Sequence, residues 1–160
     1  MNEYRLFLST LLALFAFSPC FSQTAPSICP IGGMRSSDIS GDFGPRMHPV
    51  LNIVKMHEGV DFEVPVGTPV LATAAGSVVL AGPEGRYGLE VVVAHGGGFR
   101  TIYAHLSKVT VAPGAKVKRG DVIAYSGRSG LVSSPHLHYE VVKDGKWVDP
   151  KNYIGPVSHQ

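Results

Sequence analysis

The chain has 160 residues, with 14 Lys and Arg against 12 Asp and Glu, and a net charge of +2. So small a charge, with no basic run or stripe, excludes the electrostatic footprint of a nucleic-acid binder. Two cysteines exclude a disulfide-built scaffold, and the length suits one domain with a real core.

The first 22 residues read as an export signal. Arg5 supplies a modest positive start, and the apolar run 6–17 is shorter than the ~20 residues that span a bilayer. Ser18-Pro19 ends the run, and the small residues Cys20 and Ser22 suit cleavage after Ser22. A retained anchor and lipidation at Cys20 are the competing readings. Cleavage removes Glu3 and Arg5, leaving thirteen basic against eleven acidic residues and Cys29 as the lone cysteine. Cys29 is then expected in a flexible tail rather than as a reactive thiol. The mature protein is expected in the periplasm or outside the cell, without stable membrane insertion.

Residues 23–40, with Pro26, Pro30, Gly32, Gly33 and several serines, suit an extended N-terminal arm. Beyond it, 70–73, 77–80, 89–94, 100–105, 121–125 and 136–142 are apolar, rich in β-branched residues and bounded by turn residues. Asp144-Gly145 is a two-residue hairpin signal. No sustained helical period follows the signal. The fold class predicted is all-β. It is a single compact domain (41–155) of short antiparallel strands in a sandwich or open-barrel-like sheet with a groove, followed by a tail at 156–160.

Chemistry concentrates in His57-Glu58-Gly59-Val60-Asp61, in His105 and in His136-Leu137-His138. Four imidazoles and a carboxylate are the parts of a catalytic zinc site. In a strand, residues i and i+2 share a face, so His136, His138 and Glu140 project together while Leu137, Tyr139 and Val141 face the core. By the same rule Tyr103 and His105 share a face. Alternation does not say which of His136 and His138 touches a metal. His57 and Asp61, if extended, would stand roughly 13 Å apart, so a bend at Gly59 is required, offered by the backbone freedom of glycine.

Several ordered motifs then resemble the lysostaphin-type zinc endopeptidases, which cut peptide cross-bridges of bacterial peptidoglycan. They are Phe43-Gly44-Pro45-Arg46-Met47-His48-Pro49, Met56 to Phe62, Pro65 to Val70, Tyr103-Ala104-His105-Leu106, Gly114 to Asp121, Ser126 to Gly130 and Pro135 to Val141. The resemblance runs from about Gly41 to Ile154. It implies that His57, Asp61 and His138 bind one Zn2+ per chain, with His105 and His136 as unligated catalytic histidines that share proton transfer and oxyanion stabilisation between them. Arg46 either contacts an anionic substrate group or pins a loop. Glu140 and Tyr103 are candidates to orient a ligand imidazole, while His48, His95 and His159 have structural readings. The implied partner is the peptide stems or cross-bridges of peptidoglycan, met by a monomer. Glycine bridges and D-alanyl-diaminopimelate links stay open as substrates, and the 23–40 arm is the one segment that could cover the metal.

Two rivals share features with this chain. A non-catalytic wall-binding or amidase-activating module of the same fold need not hold metal. Residues 111–124 also resemble the hammerhead turn of biotinyl or lipoyl carriers, but no attachment-lysine motif accompanies them.

Overall fold

A computed structural model describes residues 24–47 and 53–155, so the signal, His48 and His159 lie outside the described residues. Eleven strands follow in order: β1 (Gly44–Met47), β2 (Val54–His57), β3 (Val60–Phe62), β4 (Pro69–Leu71), β5 (Gly76–Glu84) and β6 (Gly88–Ala94). Then come β7 (Phe99–Val109), β8 (Lys116–Val117), β9 (Val122–Ser126), β10 (Leu137–Lys143) and β11 (Lys146–Val148). The helical content of the described residues is three short 3-10 turns, Ser36–Asp38, Gly85–Tyr87 and Pro150–Tyr153. No helix among those residues is long and apolar enough to cross a membrane.

All pairings are antiparallel. β1 and β2 form a separate two-stranded ribbon, and the other nine strands form one open sheet in the order β11-β10-β7-β6-β5-β8, with β3 on β10, β9 on β7 and β4 on β9. This is the all-β architecture expected from the alternation and turn residues. The strands read from sequence all appear; β1, β2, β3 and β8 are additional. They are short, and β1 and β2 keep much of their surface in solvent, so little apolar alternation marks them.

Alternation sorts the central strands cleanly. Leu137, Tyr139 and Val141 of β10 and Val91 and Val93 of β6 are fully buried against Phe62, Val70, Leu106 and Ile123. His138 and Glu140 are thereby turned to the opposite face of β10, because successive strand residues point to opposite sides.

Tyr103 departs from expectation. It points into the core, where its ring lies 5.3 Å from that of Tyr139. Its hydroxyl accepts the Thr73 N–H at 3.0 Å and lies 3.0 Å from Thr101 Oγ1. Thr73 Oγ1 also meets the Tyr139 hydroxyl at 2.9 Å, and Thr101 Oγ1 meets His95 Nε2 at 2.8 Å. Tyr103 is thus the centre of a buried polar network and does not orient a ligand imidazole. His95 belongs to the same network, in keeping with its structural reading.

Part of the arm also departs from expectation. Leu71 N–H donates to Pro30 O at 2.8 Å, Ile31 bridges Val70, and Cys29 N–H donates to Gly155 O at 3.2 Å. Ile28, Cys29 and Ile31 are buried, so Cys29 is a core residue rather than part of a flexible tail. Burial pushes its thiol up to about 11, which makes it a poor nucleophile at neutral pH.

Tyr103→Phe leaves the Thr73 N–H without its partner in a dry site. The expected cost is about 1–3 kcal/mol in urea unfolding, with metal affinity unchanged. Lost metal affinity at full stability would return Tyr103 to the site.

Candidate metal centre

β3 lies antiparallel on β10 in a register that sets Asp61 opposite His138. Directly paired residues share a face, so carboxylate and imidazole leave the sheet side by side. His57 arrives from the other direction. β2 ends at His57 and β3 starts at Val60, so only Glu58 and Gly59 turn the chain between them. Gly59 is needed for space rather than for unusual backbone angles. A Cβ there would stand 2.4 Å from Tyr139 O and 3.0 Å from His138 Cε1.

Three donor atoms converge: His57 Nε2, His138 Nδ1 and Asp61 Oδ1. The nitrogens are 3.1 Å apart, and the carboxylate oxygen is 2.9 Å from His138 and 3.3 Å from His57. Donors about 2.0–2.1 Å from a tetrahedral zinc stand about 3.3 Å from one another, so the spacing fits.

The far side of each ring sets its tautomer. His57 Nδ1 donates to Asp42 O at 2.6 Å, because a carbonyl can only accept. His138 Nε2 lies 2.9 Å from Glu140 Oε1 and donates to that carboxylate. Neutral rings so held aim two lone pairs at each other beside an anionic oxygen, an arrangement that requires a cation. A proton can serve: burial opposes it, but hydrogen bonds from its ring to Asp61 and Glu140 prevail and raise His138 to about 9. Those two flanking imidazoles outweigh burial at Asp61 as well and hold its carboxyl well below the usual range. Two imidazoles and one carboxylate are a nitrogen and oxygen donor set that suits zinc.

His105 and His136 stand beside this cluster. His136 Nδ1 donates to Ser134 O at 2.9 Å, and its Nε2 is 3.7 Å from Asp61 Oδ1. His105 Nδ1 donates to Ser129 O at 3.0 Å, and its ring centroid is 4.9 Å from His136 and 5.9 Å from His138. Simple alternation would send His105 to the core beside Tyr103. A register shift between β6 and β7 places one extra residue in β7 here, and His105 takes φ +60°. Such a bulge re-aims a side chain, and the left-handed backbone is strained for a non-glycine residue. Burial, then repulsion from His136 and His138, lower His105 to about 4 against the opposing pull of Ser129 O, so it is neutral at neutral pH.

Arg46 Nη1 lies 3.2 Å from Asp61 Oδ2, the carboxylate oxygen turned away from the histidines. Arg46 therefore holds Asp61 in place. Ser129 escaped the sequence reading although it braces His105 twice: its carbonyl takes His105 Nδ1–H, and its hydroxyl ties Leu89 N–H (2.8 Å) to Leu106 O (2.7 Å). The carbonyls of Asp42, Ser129 and Ser134 carry no side-chain signature to read.

Comparison with known proteins places the chain in a family. The chain belongs to Peptidase family M23, which it matches over residues 55–150. It is 46% identical over 112 residues to the peptidoglycan DD-endopeptidase ShyA of Vibrio cholerae, covering 69% of this chain and 26% of ShyA. A zinc containing peptidase from Vibrio cholerae superposes with TM-score 0.75 at 36% identity, over 82% of this chain and 41% of that one. The catalytic domain of lysostaphin from Staphylococcus simulans does so with TM-score 0.65 at 33% identity, over 72% of this chain and 90% of that one. The chain spans about a quarter of the length of the curated relatives it matches. The lysostaphin-type resemblance carried by the motifs is borne out.

Two outcomes follow. Zinc must displace a proton from His138, so binding at pH 6.5 should release about one proton, measured by calorimetry in buffers of different ionisation enthalpy. Binding without proton release would contradict the cation-requiring arrangement. Gly59→Ala forces β10 aside and should weaken zinc binding at least tenfold; unchanged affinity would show that the contact with Tyr139 O relaxes freely.

Proposed function

We propose that this chain is a zinc-dependent endopeptidase that hydrolyses peptide cross-links of bacterial cell-wall peptidoglycan. The observation that carries the reading is the convergence of His57 Nε2, His138 Nδ1 and Asp61 Oδ1 beside two further histidines held by backbone carbonyls. His57, Asp61 and His138 would hold one zinc ion. Bound there, zinc supplies a Lewis acid that polarises a peptide carbonyl and makes water nucleophilic near neutral pH.

The protein's own groups do the rest. His105 is neutral, its Nδ1–H is engaged by Ser129 O, and its Nε2 lone pair is free to take a proton from water. His136, with Nδ1 engaged by Ser134 O, presents Nε2 on the same side. Either of the pair can accept the water proton at Nε2, and the imidazolium so formed then stabilises the developing oxyanion and returns that proton to the leaving amine. Arg46 and Glu140 fix the orientation of Asp61 and His138.

Peptidoglycan as substrate rests on family membership and on ShyA, a peptidoglycan DD-endopeptidase in name. The export signal read at residues 1–22 suits a periplasmic or secreted enzyme, and the modest charge without a basic run suits action without nucleic acid. The presence of all five site residues favours catalysis over a wall-binding module that has lost its metal.

The zinc-loaded protein, incubated with purified wall sacculi, should convert dimeric muropeptides to monomers by mass analysis. Unchanged fragments beside a filled zinc site would defeat the substrate assignment. His138→Ala should lose tightly held zinc, whereas His105→Ala should keep zinc and lose turnover at least a hundredfold. Equal metal loss in both variants would overturn the division between ligands and proton-transfer groups.

A further inference from the structure

Glu140 is 1% exposed, and a carboxylate so buried stays ionised only where donors surround it. Three do. Oε1 accepts His138 Nε2–H at 2.9 Å and the Tyr87 hydroxyl at 2.6 Å, and Oε2 accepts Trp147 Nε1–H at 2.8 Å. Burial opposes ionisation, yet these bonds prevail and hold the Glu140 carboxyl below its usual range. Burial and the Glu140 bond push the Tyr87 phenol up, so it stays a donor throughout the neutral range.

Both donors are held in place. Tyr87 ends the 3-10 turn Gly85–Tyr87, which the loop after β9 grips from above: Leu131 N–H donates to Arg86 O at 2.9 Å. Gly88, at φ +67°, lets that loop close in, because a Cβ there would stand 2.4 Å from Gly130 N. The Tyr87 ring also stacks on His138, with centroids 5.7 Å apart and planes 20° apart. Trp147 stands opposite Val142 in the β10–β11 hairpin, 47% exposed, with its N–H turned inward.

We propose that Tyr87 and Trp147 are positioning residues that lock Glu140 and, through it, hold His138 in the orientation that aims Nδ1 at the metal. This rests on the reading of His138 as a zinc ligand. With either donor gone, one Glu140 oxygen loses a partner, the carboxylate gains freedom to turn, and the His138 Nε2–H loses its fixed acceptor. Neither residue drew notice in the sequence. Tyr87 sits in a glycine-flanked turn that no spacing rule joins to the site, whereas Trp147 pairs with Val142 across the Asp144-Gly145 turn and so shares a face with Glu140 and His138.

The test is zinc affinity of the full chain, measured by competition with a chromophoric chelator at pH 7.5. Tyr87→Phe keeps ring and stacking but removes the donor, and Trp147→Phe removes the indole N–H. Each should weaken zinc binding about tenfold, the lower end of the range for outer partners of a metal ligand. Each should add less than about twofold in a Glu140→Gln background, because the path through the carboxylate is already cut. Thermal unfolding of the metal-free forms checks folding. Should Trp147→Phe fail to fold, Tyr87→Phe decides alone. Wild-type affinity in the folded single variants would overturn the proposal. So would a tenfold loss that persists in the Glu140→Gln background. A wild-type chain that binds no zinc would instead defeat the ligand reading, and this one with it.

Discussion

The pairing of β3 with β10 is the constraint on which the site depends. It sets Asp61 directly across from His138, and a slip of one residue would turn both side chains to the wrong face. Register is guarded by what lies on the other side of the same strands. Leu137, Tyr139 and Val141 fill the core with Val60 and Phe62, so any slip would bury His138 and expose those residues. Hydrophobic burial thus enforces the geometry of a polar centre that, without a cation, is made of mutually repelling lone pairs.

Around that register the fold adds braces, most of them backbone carbonyls or carboxylates that accept the outward N–H of an imidazole. Each of the four histidines is fixed this way, which sets its tautomer and turns its other nitrogen inward. The strain at His105, with its left-handed backbone, is tolerated because the Ser129 loop and the bulge in β7 over-determine its position. Arg46 and Glu140 complete the frame at the two anionic ends. Such bracing is what the proposed hydrolysis would need, where positioning carries much of the rate.

Much of this could be read from residues alone. Period-two alternation on β10 separated His138 and Glu140 from Leu137, Tyr139 and Val141, because burial on one face leaves a direct trace in the order of residues. The ligand set was legible only through the resemblance of several ordered motifs to one family, since alternation alone left His136 and His138 undivided. Tyr103 was misplaced for a physical reason: alternation fails at a β-bulge, and no pattern in Tyr103-Ala104-His105 announces one. Cys29 was misjudged because a Pro- and Gly-rich composition describes an arm's shape, not whether a neighbouring edge strand accepts it. The role of Gly59 was read as conformational when it is steric, a difference visible only once Tyr139 is in place. Ser129 and Tyr87 act across the fold on residues 24 and 53 positions away, where spacing rules have no reach.

X-ray absorption at the zinc edge of the purified, zinc-loaded protein tests the centre most directly. Two imidazoles, a carboxylate and one water should give four nitrogen or oxygen scatterers at about 2.0–2.1 Å with the outer-shell signature of two histidine rings. A six-oxygen shell without imidazole scattering, or any zinc–sulfur distance near 2.3 Å, would contradict it.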